Sequence, residues 1–180
     1  DIETISNEKQ KFWLYAPGRN ASKWNECVEK NIAVIGWDEL GDLNQYNDKE
    51  DISNALKNLY GGESSKMNDT LACYEFSKVI HEGDIIIPKQ GKTTYLGYGI
   101  VKSPYRFEAN RDEFKHVIDV EWHSLGKYEE NIHPIALKTL TDISKYPDYV
   151  KRLKELIMKN DSYSKTDALK DLFIEEQDFQ

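Results

Sequence analysis

The stretch from Lys11 to Tyr46, KFWLYAPGRNASKWNECVEKNIAVIGWDELGDLNQY, places Trp13, Trp24 and Trp37 in a span whose glycines and proline leave room only for short elements. Phe12 to Ala16 is aromatic-rich and stops at Pro17-Gly18, the punctuation of a strand entering a loop. Asn20 to Lys30 follows, with Trp24, Cys27 and Val28 at i, i+3 and i+4 as the inward stripe of a short helix that Asn20 or Ser22 caps. Ile32 to Ile35 is the β-branched, apolar run of a buried strand, and Gly36 permits a sharp turn just before Trp37. Trp37 is thereby expected at a strand end with its ring lining a cavity, whereas Trp13, Trp24 and Trp122 read as core.

Ile52, Leu56 and Leu59 predict a helix over Asp51 to Tyr60, ended by Gly61-Gly62, then a linker to Asn68. Asn68 or Asp69 caps a third helix, which carries Ala72, Phe76, Val79 and Ile80 and closes at Gly83. Asp84 to Pro88, the turn KQGK and Thr93 to Lys102 read as a hairpin. Gly97 and Gly99 share one face of its second strand, where something bulky approaches the backbone. Ser103 to Lys115 reads as a polar-aromatic loop, His116 to His123 as a strand, and Ile132 to Leu140 as a further short strand. Pro147 opens a helix with Val150, Leu153 and Ile157 inward. The order β-α-β-α-α-β-β-β-β-α has no βαβ regularity, so the expected fold is α+β, a small curved mixed β-barrel flanked by helices.

With 180 residues the chain suffices for one domain. Residues 11–158 are expected to form it, 1–10 a flexible leader, and 159–180 a linker toward a further domain, so that the chain reads as a fragment of a longer protein. No apolar run approaches the roughly 18 residues of a membrane span, and the expectation is a cytoplasmic protein. A net charge of -8 argues against a nonspecific nucleic-acid coat. Between Ile85 and Lys115, however, six cations stand against three carboxylates, which predicts one basic face. Cys27 and Cys73 read as reduced, buried thiols. His81, His116, His123 and His133 lack metal-like spacing, there is no nucleophile or phosphate-loop motif, and the Asp38, Glu39, Asp42 group reads as a solvated turn. No catalytic residue, metal or cofactor is expected.

The runs FWLYAPG, IGWDELGDLNQY, ACYEF, GDIIIPKQGKTTYLGYGIV, FKHVIDVEW and KTLTDISKYPDYVKRLKELI closely resemble the EVE-like module at the N-terminus of McrB-type AAA+ proteins of modification-dependent restriction systems, over residues 11–158. EVE-like modules belong to the PUA-like superfamily and are similar to YTH domains, which hold methylated adenine in an aromatic cage. The resemblance implies a curved β-barrel with flanking helices and a flipped, modified base as ligand. It implies Trp37 as the cage tryptophan, with Asp38 beside it to read the base edge. Tyr15, Ala16 and Pro17 would lie alongside the base, with further walls from Leu96 or Tyr98 and from Tyr105 or Phe107. YTH domains also use basic residues near the pocket for phosphates; Arg19, Lys89, Lys92, Arg106 and Arg111 are the candidates here, without a residue-level match.

The expected partners are therefore DNA containing a modified base, an AAA+ NTPase domain in the same chain and a nuclease in the full system, with no membrane. An RNA-binding PUA/YTH-like module and a protein-interaction domain with a filled core are the alternatives. Methylated adenine, methylated cytosine and hydroxymethylated cytosine are all flat bases, and the sequence does not choose among them.

Overall fold

Among the residues that the computed structural model describes, 10–61 and 66–159, the apolar runs form strands and the striped segments form helices. The expected leader up to residue 9, linker residues 62–65 and the tail from residue 160 lie outside these. The strands are β1 (Phe12–Tyr15), β2 (Ile32–Ile35), β3 (Ile85–Gln90), β4 (Thr94–Tyr95), β5 (Tyr98–Val101), β6 (Arg106–Phe107), β7 (His116–His123), β8 (Tyr128–Glu129) and β9 (Leu140–Asp142). The helices are α1 (Trp24–Lys30), α2 (Lys49–Tyr60), α3 (Met67–Tyr74), which runs on into a π-helical turn at Glu75–Val79, and α4 (Pro147–Ile157).

The principal sheet runs β2-β7-β5-β3-β1-β9, with β1 and β3 parallel and the other neighbours antiparallel. It curls into a half-barrel flanked by the four helices, the expected α+β architecture. One phenol reports the curl. Tyr15 stands on β1, four strands from β2, yet its hydroxyl donates to the Val34 carbonyl at 2.5 Å and accepts from the Val34 N–H at 2.8 Å. Trp122 Nε1 donates to the Ile32 carbonyl at 3.1 Å, so polar atoms on aromatic rings occupy backbone groups of β2 that β7 does not use.

Strand alternation sorts the core into two sides. Trp13, Tyr15 and Ile86 face into the curl with Ile52 and Leu56 of α2 and Phe76. Phe12, Leu14, Ile85 and Ile87 face outward, where Val150, Leu153 and Ile157 of α4 cover them. Each such α4 side chain contributes about 1.5–3 kcal/mol as an upper figure, so tertiary burial decides this helix more than its intrinsic propensity. Asp84, fully buried, accepts hydrogen bonds from Lys11 N, Trp13 Nε1 and His81 N, tying β1 to the segment before β3.

Several boundaries differ from the sequence reading. α1 starts at Trp24 because Asn20 and Ala21 hold positive φ (53° and 59°), and neither Asn20 nor Ser22 caps it. α2 begins earlier, with the Asp48 carboxylate accepting from Asp51 N. The second hairpin strand breaks into β4 and β5 at Gly97, whose φ of +135° few side chains adopt. What approaches Gly99 is a core ring: an added Cβ would meet Val120 Cγ1 at 2.3 Å and Trp122 Cε3 at 2.6 Å. Ile132 to Ala136 and onward to Thr139 form no strand; pairing with β1 starts only at Leu140. Cys27 and Cys73 are free and buried, as expected.

Candidate functional site

Gly36 and Trp37 end β2, and the site is built from that turn. Trp37 occupies the left-handed region at φ 65°, ψ 43°, a conformation that costs a non-glycine residue of order 1–3 kcal/mol unless its surroundings impose it. Here they do. The Trp37 carbonyl accepts from Leu40 N at 3.1 Å and from His116 Nε2 at 3.0 Å. Since a carbonyl only accepts, His116 carries its proton on Nε2, leaving Nδ1 to accept from the Tyr105 hydroxyl at 2.7 Å; that hydroxyl in turn accepts from Leu43 N at 3.0 Å. The chain is fully satisfied with a neutral imidazole. Burial pushes the His116 pKa down, against the opposing pull of the Trp37 carbonyl and of Asp38 and Asp42.

The Asp38 carboxylate reaches across to the loop before β7, accepting from Phe114 N at 3.0 Å and Lys115 N at 2.8 Å. Phe114 also holds positive φ (51°), and its carbonyl accepts from Arg111 Nε at 2.9 Å. Two aromatic residues in left-handed backbone are thus fastened to one another's segments. The Phe114 ring stands against Gly36, 3.9 Å from where a Cβ would sit. Between them opens a cleft of about 320 Å³, whose other lining residues include Ala16, Arg19, Ile35, Leu137 and Thr139. That is at the small end of the roughly 300–1,000 Å³ of ligand sites and mostly apolar, as a flat, weakly polar ligand requires.

The site gathers Trp37, Ala16 and Arg19 from the expected set and disperses the rest. Asp38 has both oxygens committed to backbone N–H groups, so it fastens a wall. Tyr15 and Pro17 are buried and do not line the cleft, the Tyr15 hydroxyl being spent on β2. Leu96 and Tyr98 do not line the cleft: both are buried, with Tyr98 stacked on His123 at 5.2 Å in the outward core. Tyr105 and Phe107 contact the His116 ring at 5.7 and 5.3 Å and form a supporting layer behind Trp37.

Of the phosphate candidates, Arg19 is exposed at the cleft rim and Lys92 is exposed in the β3–β4 turn. Lys89 is buried, which depresses its pKa and withholds it from solvent. Arg106 is spent on Glu108 at 3.0 Å and Asp119 at 2.9 Å, and Arg111 on Glu26 at 2.7 Å. A larger groove of about 760 Å³ adjoins Phe114, but its cations Lys23, Lys30 and Arg111 pair with Glu113 and Glu26. The expected basic face is therefore largely neutralised from within. The acidic turn is likewise not simply solvated: Asp42 accepts from Asn44 N, and Glu39 accepts from the Tyr60 hydroxyl.

Phe114, Leu137, Thr139 and His116 are the site residues that sequence reasoning missed. The signal for Phe114 lay in pairing: once Ile35 is registered with His116, Gly36 must fall beside the residues before His116. No helix is long and apolar enough to cross a membrane among the described residues. A family model described as "Domain of unknown function (DUF8426)" matches residues 13–147, a stretch that contains every element of the cleft. No curated protein matches the sequence.

Proposed function

The chain belongs to the family Domain of unknown function (DUF8426), and we propose that it recognises a modified nucleobase in DNA, taken out of the duplex and seated in the cleft that Trp37 and Phe114 line. The single observation that carries this reading is the pair of aromatic residues locked in left-handed backbone around a small apolar cleft with a free arginine at its rim. Extruding a base costs a few kcal/mol and stacking on a ring returns about 1–3 kcal/mol per base, so two rings suffice to balance extrusion. Burying one methyl adds only about 0.8 kcal/mol, and the rest of the discrimination comes from a cleft too tight and too apolar for the wrong base edge.

In this reading the domain is a noncatalytic specificity module of a cytoplasmic, modification-dependent restriction system. It delivers an AAA+ NTPase domain of the same polypeptide and a separate nuclease to marked DNA, as the resemblance to EVE-like modules implies. The test is a binding panel of duplexes that differ only at one position, bearing adenine, methylated adenine, cytosine, methylated cytosine or hydroxymethylated cytosine, with a single-stranded RNA arm. One modified duplex is expected to bind best, and Trp37→Ala to weaken it by about 5- to 150-fold. Equal binding to all duplexes, or an unchanged Trp37→Ala, overturns the reading; preference for the RNA arm moves the same cleft to an RNA ligand.

A further inference from the structure

A second hollow adjoins the Trp37 cleft. Antiparallel pairing sets Leu14 opposite Thr141, and Ala16 N bonds the Thr139 carbonyl at 2.8 Å, so these four residues share one face of the β1–β9 ladder. Ala16 and Thr139 line the Trp37 cleft, and Leu14 and Thr141 line the second hollow, of about 320 Å³. The two rungs are two residues apart, about 7 Å along the strands. Residues 136–139 are a party wall: Leu137 and Thr139 face the cleft, Ala136 and Lys138 the hollow.

The hollow's far side is two tyrosines. Tyr149 is fixed from within, its hydroxyl 2.5 Å from that of Tyr95, which donates to Glu130 Oε1 at 2.7 Å; Glu130 takes a bidentate hold from Arg152. Tyr146 is half exposed (51%), with Lys145 Nζ 5.5 Å from its ring centroid, and it separates this hollow from an adjoining one of about 460 Å³. Lys138, Lys145 and His133 are exposed here, with Asp148 beside Lys145 and with Lys138 also acting on the Glu75 carboxylate. Thr141 Oγ1 has no hydrogen-bond partner among the described residues. The Tyr149 ring already has the Arg152 guanidinium over one face at 5.2 Å, which leaves the half-exposed Tyr146 ring beside exposed cations as what a single strand needs: a face on which to stack a base and a counterion for its phosphate.

We propose that the hollow at Tyr146 and Tyr149 is a second nucleotide subsite, which takes the nucleotide flanking the one in the Trp37 cleft, with its ring on Tyr146 and its phosphate at Lys138 and Lys145. The inference rests on the base-reading proposal for the neighbouring cleft.

Its test is fluorescence anisotropy with two probes, a methylated-adenine nucleoside as competitor and a labelled duplex carrying one methylated adenine, on native protein, Trp37→Ala, Tyr146→Ala and the double variant Lys138→Gln/Lys145→Gln. All replaced subsite residues are exposed, so folding is preserved. Tyr146→Ala is expected to weaken the duplex about 5- to 150-fold and leave nucleoside competition unchanged, while the double variant lowers the salt slope of duplex binding by about 1–2. Native-like duplex affinity and salt slope in both variants, with Trp37→Ala still impaired, overturn the subsite alone. Native-like binding by Trp37→Ala, with the subsite variants impaired, overturns base reading and keeps this surface as a nucleic-acid contact. Absence of binding to every modified duplex of the panel overturns both.

Discussion

Replacing Asp38 by alanine separates two roles that a residue next to Trp37 can have. If the carboxylate reads a ligand, its removal lowers affinity and leaves the free protein as stable as before. The structure assigns it the other role: both oxygens accept backbone N–H groups, Phe114 at 3.0 Å and Lys115 at 2.8 Å. A hydrogen bond to a charged acceptor is worth about 1.5–3 kcal/mol, and the two donors are only partly buried, so water takes over part of the loss. The expected destabilisation is about 2–4 kcal/mol, read in urea as a lower midpoint at unchanged m, or as a fall in Tm at about 2–4 °C per kcal/mol for a domain of this size. Phe114 then loses its tether, and affinity for the modified duplex falls along with stability. A variant within about 0.5 kcal/mol of native that nonetheless binds poorly would falsify the tether and return Asp38 to the ligand.

Tyr15→Phe removes only one oxygen but leaves the Val34 N–H and carbonyl without their partner in a buried setting; a loss of about 1–3 kcal/mol in urea unfolding is expected, and a neutral variant contradicts the bridging role. Glu130 governs the acid limb. Burial alone would raise its pKa, but Arg152, the Tyr95 hydroxyl and Ile132 N hold it down at about 2 from an ordinary 4.5. A depressed carboxyl contributes stability above its unfolded pKa, so about 3 kcal/mol is present at neutral pH and is lost as pH falls from about 4.5 to 2. Glu130→Gln should flatten that part of the stability profile, and an identical acid limb in the variant would rule the contribution out.

The elements that depend on local pattern were legible. Ile32 to Ile35, the Pro147 start of α4 and its Val150, Leu153, Ile157 stripe follow from residue type and spacing, and the structure has them. So was Trp37, because a glycine at a strand end is a local signal. What escaped was long-range. Tyr98 sits in a strand that alternates plausibly, and only the break at Gly97 decides which side it faces. Phe114 is an unremarkable loop residue until β2 and β7 are registered. Arg106 and Arg111 count as positive charge in the sequence, but Asp119 and Glu26, distant in the chain, cancel them in space.

The Tyr15 phenol and the Trp122 indole also bear on how copies of this protein meet one another. A short outer strand with bare N–H and C=O groups is a template on which another chain can add itself. In β2 the outward groups of Val34 and the carbonyl of Ile32 are already answered by rings anchored in the protein's own interior. The half-barrel thus ends its sheet without a further strand and without charged guards. Losing the Tyr15 ring would unmask a docking edge as well as weaken the fold, and aggregation of Tyr15→Ala under conditions where native protein stays dispersed would be its visible mark.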